Sequence, residues 1–112
     1  MTPNHKELAD VLRDMELSDI AELMSFKVNR RVIWRILELA GIFVTSFAPE
    51  TPIMAFREGQ RNIGLVILAD IMAVCPDRLQ QMMKESKEAE LERRILEQSD
   101  RDKRRADGEF VD

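Results

Sequence analysis

Between Ile63 and Cys75 the chain reads IGLVILADIMAVC, an apolar run broken by one charge, Asp70, and followed at once by Pro76. A helix that is apolar almost all round must be surrounded by other elements, so this run belongs at the centre of whatever forms. It is too short to span a bilayer, which takes about 20 apolar residues. Proline disfavours helical geometry at Cys75 and suits the first turn of a new helix, whose positive end Asp77 complements. The chain therefore breaks there and restarts. With 112 residues there is room for one domain and a modest core.

The expected class is all-α: a small helical domain of about five helices, one long loop (42–55) and an extended charged C-terminal helix. Asn4 and Glu7 have capping-box spacing, and Leu8, Val11, Leu12 and Met15 recur at helical spacing, which predicts a helix over 5–15. Ser18 can cap a short second helix through Ile20, Ala21, Leu23 and Met24. Residues 1–25 read as an acidic arm, with Glu7, Asp10, Asp14, Glu16, Asp19 and Glu22 against Lys6 and Arg13, whose apolar stripe must dock somewhere. A third helix spans 29–40, with Gly41 where a left-handed cap is wanted. Its core face is Val32, Ile33, Ile36, Leu37 and Ala40, and Trp34 either covers a seam between elements or stays partly exposed.

Residues 42–55 contain two prolines and two phenylalanines and cannot form one helix. They make a loop that Phe43 and Phe47 either pin over the core or present to a partner. The central helix follows over 55–74. The last helix carries Leu79, Met82 and Met83, then after Lys84 becomes a charge run with no heptad seam, fraying past 104. Residues 26–85 thus read as the helical core domain and 86–112 as a charged helix and tail.

Composition narrows the function. A net charge of −4 disfavours a general nucleic-acid coat, and one cysteine rules out an internal disulfide framework. No basic-then-apolar N-terminal segment reads as a signal peptide, so the expectation is a protein made in the cytoplasm without a membrane span. His5 is the sole histidine, there is no tyrosine, and no H-E-x-x-H, P-loop or G-x-S-x-G occurs. Cys75, ahead of a proline in an apolar run, reads as a packing residue. The chain is expected to be no enzyme and to need no cofactor or metal.

The chemistry that remains is docking. In FREGQRNIGL, residues 56–65, Arg57 and Arg61 are one turn apart and share a face, while Gly59 and Gly64 lie on different sides. The arginines either offer two guanidinium forks to a partner's carboxylates or phosphates, or pair internally with Glu38, Glu50 or Asp70. The glycines either admit a partner closely or let two helices cross tightly. Phe43, Phe47 and Trp34 join Arg57, Arg61 and Gly59 as partner-binding candidates. Asp70 lies in line with Ile63, Val66 and Ile67, so its carboxylate must be neutral, paired or at an interface, with Arg31 and Arg35 as expected internal partners. Lys27, Arg30, Arg31 and Arg35 form the most basic patch and are candidates for phosphate contact, or else a solvated or internally paired face.

RRVIWRILELAGIF (30–43), AFREGQRNIGLVIL (55–68), the Pro76 restart and MMKE (82–85) together resemble a family of small bacteriophage proteins whose named member comes from a Bordetella phage. Phe56, Arg57, Glu58, Gly59, Arg61, Asn62, Gly64 and Leu65 match its F-R-E-G-x-R-N-x-G-L block. The resemblance covers about 30–85 and implies a setting among virion-structure genes, with no defined activity. It implies a virion-associated structural protein that docks on larger head, portal or head-to-tail proteins, including the case of an internal protein released with the genome. The alternatives are a head-assembly factor absent from the mature virion, or a small protein in weak contact with packaged DNA. A homo-oligomer is a further partner class.

Overall fold

The computed structural model describes residues 5–109 and consists of four helices: α1 His5–Leu23, α2 Lys27–Ala40, α3 Thr51–Val74 and α4 Pro76–Glu109. No strand occurs among the described residues, so the chain is all-α. Four helices replace the expected five because α1 is continuous through Ser18. No glycine or proline lies between 5 and 23, and a side chain able to cap does not by itself end a helix. The Asn4 end of the expected capping box lies outside the described residues.

α2 ends as its sequence requires. Gly41 takes the left-handed conformation (φ 78°, ψ 27°) and donates its N–H to the Glu38 carbonyl at 3.0 Å. Ile42 donates to the Leu37 carbonyl at 3.4 Å, completing a Schellman cap in which Ile42 and Leu37 meet in the core. The loop is shorter than expected, because α3 begins at Thr51 rather than near 55. Pro52 falls in the first turn of α3, where a missing N–H leaves no hydrogen bond unmade. At the other end Cys75 donates to the Ile71 carbonyl at 2.8 Å and Pro76 opens α4. Burial pushes the Cys75 thiol up, with nearby Arg78 opposing, as befits a packing residue. α4 runs through Glu109, past the expected fraying point, and pairs such as Glu90–Arg93 (2.6 Å) and Asp100–Arg104 (3.0 Å) lace its surface.

The core forms where α1, α2 and α4 meet α3. Met24, Leu37, Ile42, Ile71 and Met82 are buried there, with Ile33, Trp34 and Leu68 packed around them. Gly64 sets the approach of α2 to α3: a Cβ there would lie 2.6 Å from Ile42 Cγ2 and 2.8 Å from the Ala40 Cβ. Two ion pairs tie the helices. Arg30, 3% exposed, donates from Nε to Glu85 Oε1 at 2.7 Å and from Nη1 to the Met24 carbonyl at 2.9 Å. Asp70, 8% exposed, accepts from Arg13 across the α1–α3 seam. Arg13 at Asp70 joins α1 to α3, Ala40 at Gly64 joins the end of α2 to α3, and Arg30 at Glu85 joins the start of α2 to α4.

The molecule is extended, 84 × 39 × 18 Å, with a radius of gyration of 20.9 Å against about 13 Å for a compact domain of this length. Part of the reason is α4, roughly 51 Å long by its residue count. No helix among the described residues is long and apolar enough to cross a membrane.

Candidate partner-docking surface

Each helix buries one stripe and leaves another in water. In α1 the inward side carries half-buried Leu17 and Ile20, in line with buried Met24 just past the helix end and with the exposed Arg13 that reaches Asp70, whereas Leu8, Val11, Leu12 and Met15 are exposed. In α2 the inward face carries Arg30, Ile33, Trp34 and Leu37; Val32 and Ile36, expected in the core, are exposed together with Val28 and Leu39. α3 is not dry all round. Phe56, Gly59, Ile63 and Val66 share one face by spacing, and Phe56 and Ile63 are 68% and 67% exposed.

The loop and the start of α3 hold one another. Ser46 donates to the Glu58 carboxylate, Phe47 donates its N–H to Thr45 Oγ1 at 3.2 Å, and Arg57 Nη1 reaches the Phe47 carbonyl at 3.4 Å. Ile42 and Ala48 are the loop residues that are buried. Phe43 lies on Trp34, ring centroids 4.8 Å apart and tilted by 32°, yet keeps about half its surface in water. Phe47 is exposed.

Arg57 and Arg61 share a face, as their spacing requires, but it is the side of α3 away from Phe56, Gly59 and Ile63. Neither forms an ion pair among the described residues, so Glu38, Glu50 and Asp70 do not claim them. Arg61 is half-buried, its Nε without a hydrogen-bond partner. The two glycines divide the expected roles. Gly64 makes the tight helix crossing, and Gly59 stands open with nothing within 4 Å of where a Cβ would be.

Asp70 is paired, but to Arg13 rather than to Arg31 or Arg35; the hydrogen bond that Arg13 donates to Asp70 is the chief influence raising the pKa of the Arg13 guanidinium. The basic patch is split. Arg30 is withdrawn into the α2–α4 seam, where its hydrogen bond holds the Glu85 carboxyl below the usual range, helped by the charges of Lys27 and Arg31. Lys27, Arg31 and Arg35 remain exposed. The sequence reading missed Arg13 and Glu85 as partners. Arg13 was legible as a member of the 13/17/20/24 stripe once α1 is one helix; Glu85 carried no local signal, being 55 residues from Arg30.

Residues 20–84 match the Bbp19-like phage protein family, more than half of the chain. The chain belongs to that family. No protein of curated function and no solved structure shows significant similarity to it. The family segment contains the whole buried core, from Ile20 to Met82, together with the exposed α2 stripe and the Phe56–Val66 face of α3. The outward stripe of α1 and most of α4 lie outside it. This member of the Bbp19-like phage proteins therefore carries most of its exposed large apolar side chains on the part the family defines.

Proposed function

We propose that the protein is a virion-associated docking subunit of a bacteriophage, which attaches to a larger head, portal or head-to-tail protein through the loop and the first half of α3. The observation that carries this is the face formed by Phe56, Gly59, Ile63 and Val66, open to water inside the family segment. Exposed apolar patches of this kind rimmed by polar groups mark interaction sites, because covering them releases free energy that the isolated chain leaves unrealised. Gly59 lets a partner's backbone or a large side chain approach the helix axis. On the opposite side of α3, Phe47 stands exposed on the loop, and Arg57, held near the Phe47 carbonyl, offers a guanidinium that makes no ion pair among the described residues, a second point for a partner to grip.

The test is mass spectrometry of purified particles of the encoding phage, with wild type and a Phe56→Asp/Ile63→Asp variant. The docking reading expects the wild-type protein at fixed stoichiometry and the folded variant missing from particles. Wild-type protein present in lysates but absent from particles would make it an assembly factor instead; a variant retained at wild-type level would remove this face from the mechanism. Contact with DNA is disfavoured by the Arg30–Glu85 pair, which takes the centre out of the basic patch. A shift assay at low salt is expected to show no binding.

A further inference from the structure

The outward stripes of α1 and α2 take no part in the docking face described above, and both stand exposed among the described residues. That of α1, Leu8, Val11, Leu12 and Met15, is followed along the same side of the helix by Asp19 and Glu22 and flanked by Asp14. That of α2, Val28, Val32, Ile36 and Leu39, is flanked by Arg35 and, further round, by Arg31. All five rim charges are exposed, and none of them takes part in an ion pair among the described residues.

We propose that copies of this chain associate head to tail, the α1 stripe of one copy seating on the α2 stripe of the next. Apolar area supplies the attraction and the rims supply the choice of partner. An acidic rim facing an acidic rim repels, and so does basic against basic, so α1–α1 and α2–α2 pairings are disfavoured while α1–α2 is matched in sign. The contact cannot close within one copy, because Arg13 and Ile20 hold the other side of α1 against the core and turn the stripe away.

The surface area allows it. The chain exposes 9217 Å², whereas a compact monomer of 13.0 kDa exposes roughly 6,300 Å². A standard interface covers about 800 Å² on each partner. A head-to-tail copy has two such faces, and the excess of roughly 2,900 Å² accommodates both with surface left for the α3 docking face. Because the contact joins unlike surfaces, repetition closes a ring or grows a filament, depending on the rotation between copies.

The experiment is sedimentation equilibrium of the full chain at about 100 µM, above the micromolar limit expected of standard interfaces. Wild type should show species heavier than a dimer. Leu12→Asp and Val32→Asp, both on exposed positions and checked for unchanged helicity by circular dichroism, should each be monomeric. Mixed in equal amounts they should give a dimer and nothing larger, since one intact α1 and one intact α2 remain. A monomeric wild type overturns the proposal. So does self-association of either single variant, which would mean a like-with-like contact, and so does a mixture that stays monomeric. These readouts do not depend on whether the protein is carried in particles, so this proposal and the docking reading fail separately.

Discussion

Gly64→Ala adds one methyl group at the tightest point of the molecule. The new Cβ would sit 2.6 Å from Ile42 Cγ2 and 2.8 Å from the Ala40 Cβ, about 1 Å inside ordinary carbon contact distances. Neither neighbour can swing away. The Ala40 Cβ is fixed to the last turn of α2, and Ile42 is buried and β-branched, held by the Schellman hydrogen bond to Leu37. Relief therefore requires α2 and α3 to part. Overpacking of this kind costs about 1–3 kcal/mol, and the better helix propensity of alanine returns about 1 kcal/mol, for a net loss of up to about 2 kcal/mol. Gly59→Ala, five residues earlier on the same helix, meets nothing within 4 Å and should gain about 0.5–1 kcal/mol. Urea denaturation followed by circular dichroism, at one protein concentration for all three proteins, gives both numbers. Opposite signs are expected. A Gly64→Ala protein as stable as Gly59→Ala would refute the claim that this glycine sets the helix crossing.

Other expectations follow from the ion pairs. Arg30→Ala leaves Glu85 and the Met24 carbonyl without their donor and should cost about 2–4 kcal/mol in the same denaturation assay. Because the folded-state pKa of Glu85 is lowered by Arg30, its contribution is complete above the ordinary glutamate range near about 4.3 and is lost as pH falls through the lower folded value. Glu85→Gln should flatten that part of the acid limb of a stability–pH profile. Arg13→Ala should speed amide exchange throughout α1 while leaving α2 and α3 protected, since the removed bond joins α1 to Asp70 alone among core helices. The double replacement Arg30→Met/Glu85→Leu should stay within about 1 kcal/mol of wild type or gain stability, yet broaden the orientation of α2, read from Trp34 fluorescence.

The helical class, the Gly41 cap, the Pro76 restart and the burial of Asp70 were legible because each depends on residues adjacent in the chain or on the cost of a lone charge. The faces were harder. A stripe at helical spacing shows that a helix has an apolar side, but α1 and α2 each have two such sides, and spacing alone does not say which one a neighbour covers. The purely apolar stripe of α1, Leu8, Val11, Leu12 and Met15, is the one spacing favours, but the chain turns inward the side containing Arg13, Leu17 and Ile20. Pro52 misled in the other direction, since a proline near a helix start can lie inside the first turn as easily as in the loop before it. For the candidate site, the shared face of Arg57 and Arg61 was legible from their spacing. That Gly59 looks the other way, among Phe56 and Ile63, was equally legible but masked by treating the block as one motif.

The choice of inner stripe has a physical cause. An apolar stripe gains by burial against almost any other, so hydrophobic surface alone leaves α1 and α2 free to roll about their axes with little penalty. A charge on one stripe removes that freedom, because it can be buried only where an opposite charge waits. Arg13 is satisfied at Asp70 and Arg30 at Glu85, each on the helix it packs against, and neither pairing survives a rotation that would turn the purely apolar side inward. Rolling α1 to cover Leu8 and Met15 would leave Asp70 buried without a partner. The exposed stripes are thus held outward by the ion pairs rather than left over from imperfect packing. A monomer built this way sacrifices stability of its own, and the proposed contacts would recover it by covering what the pairs keep open.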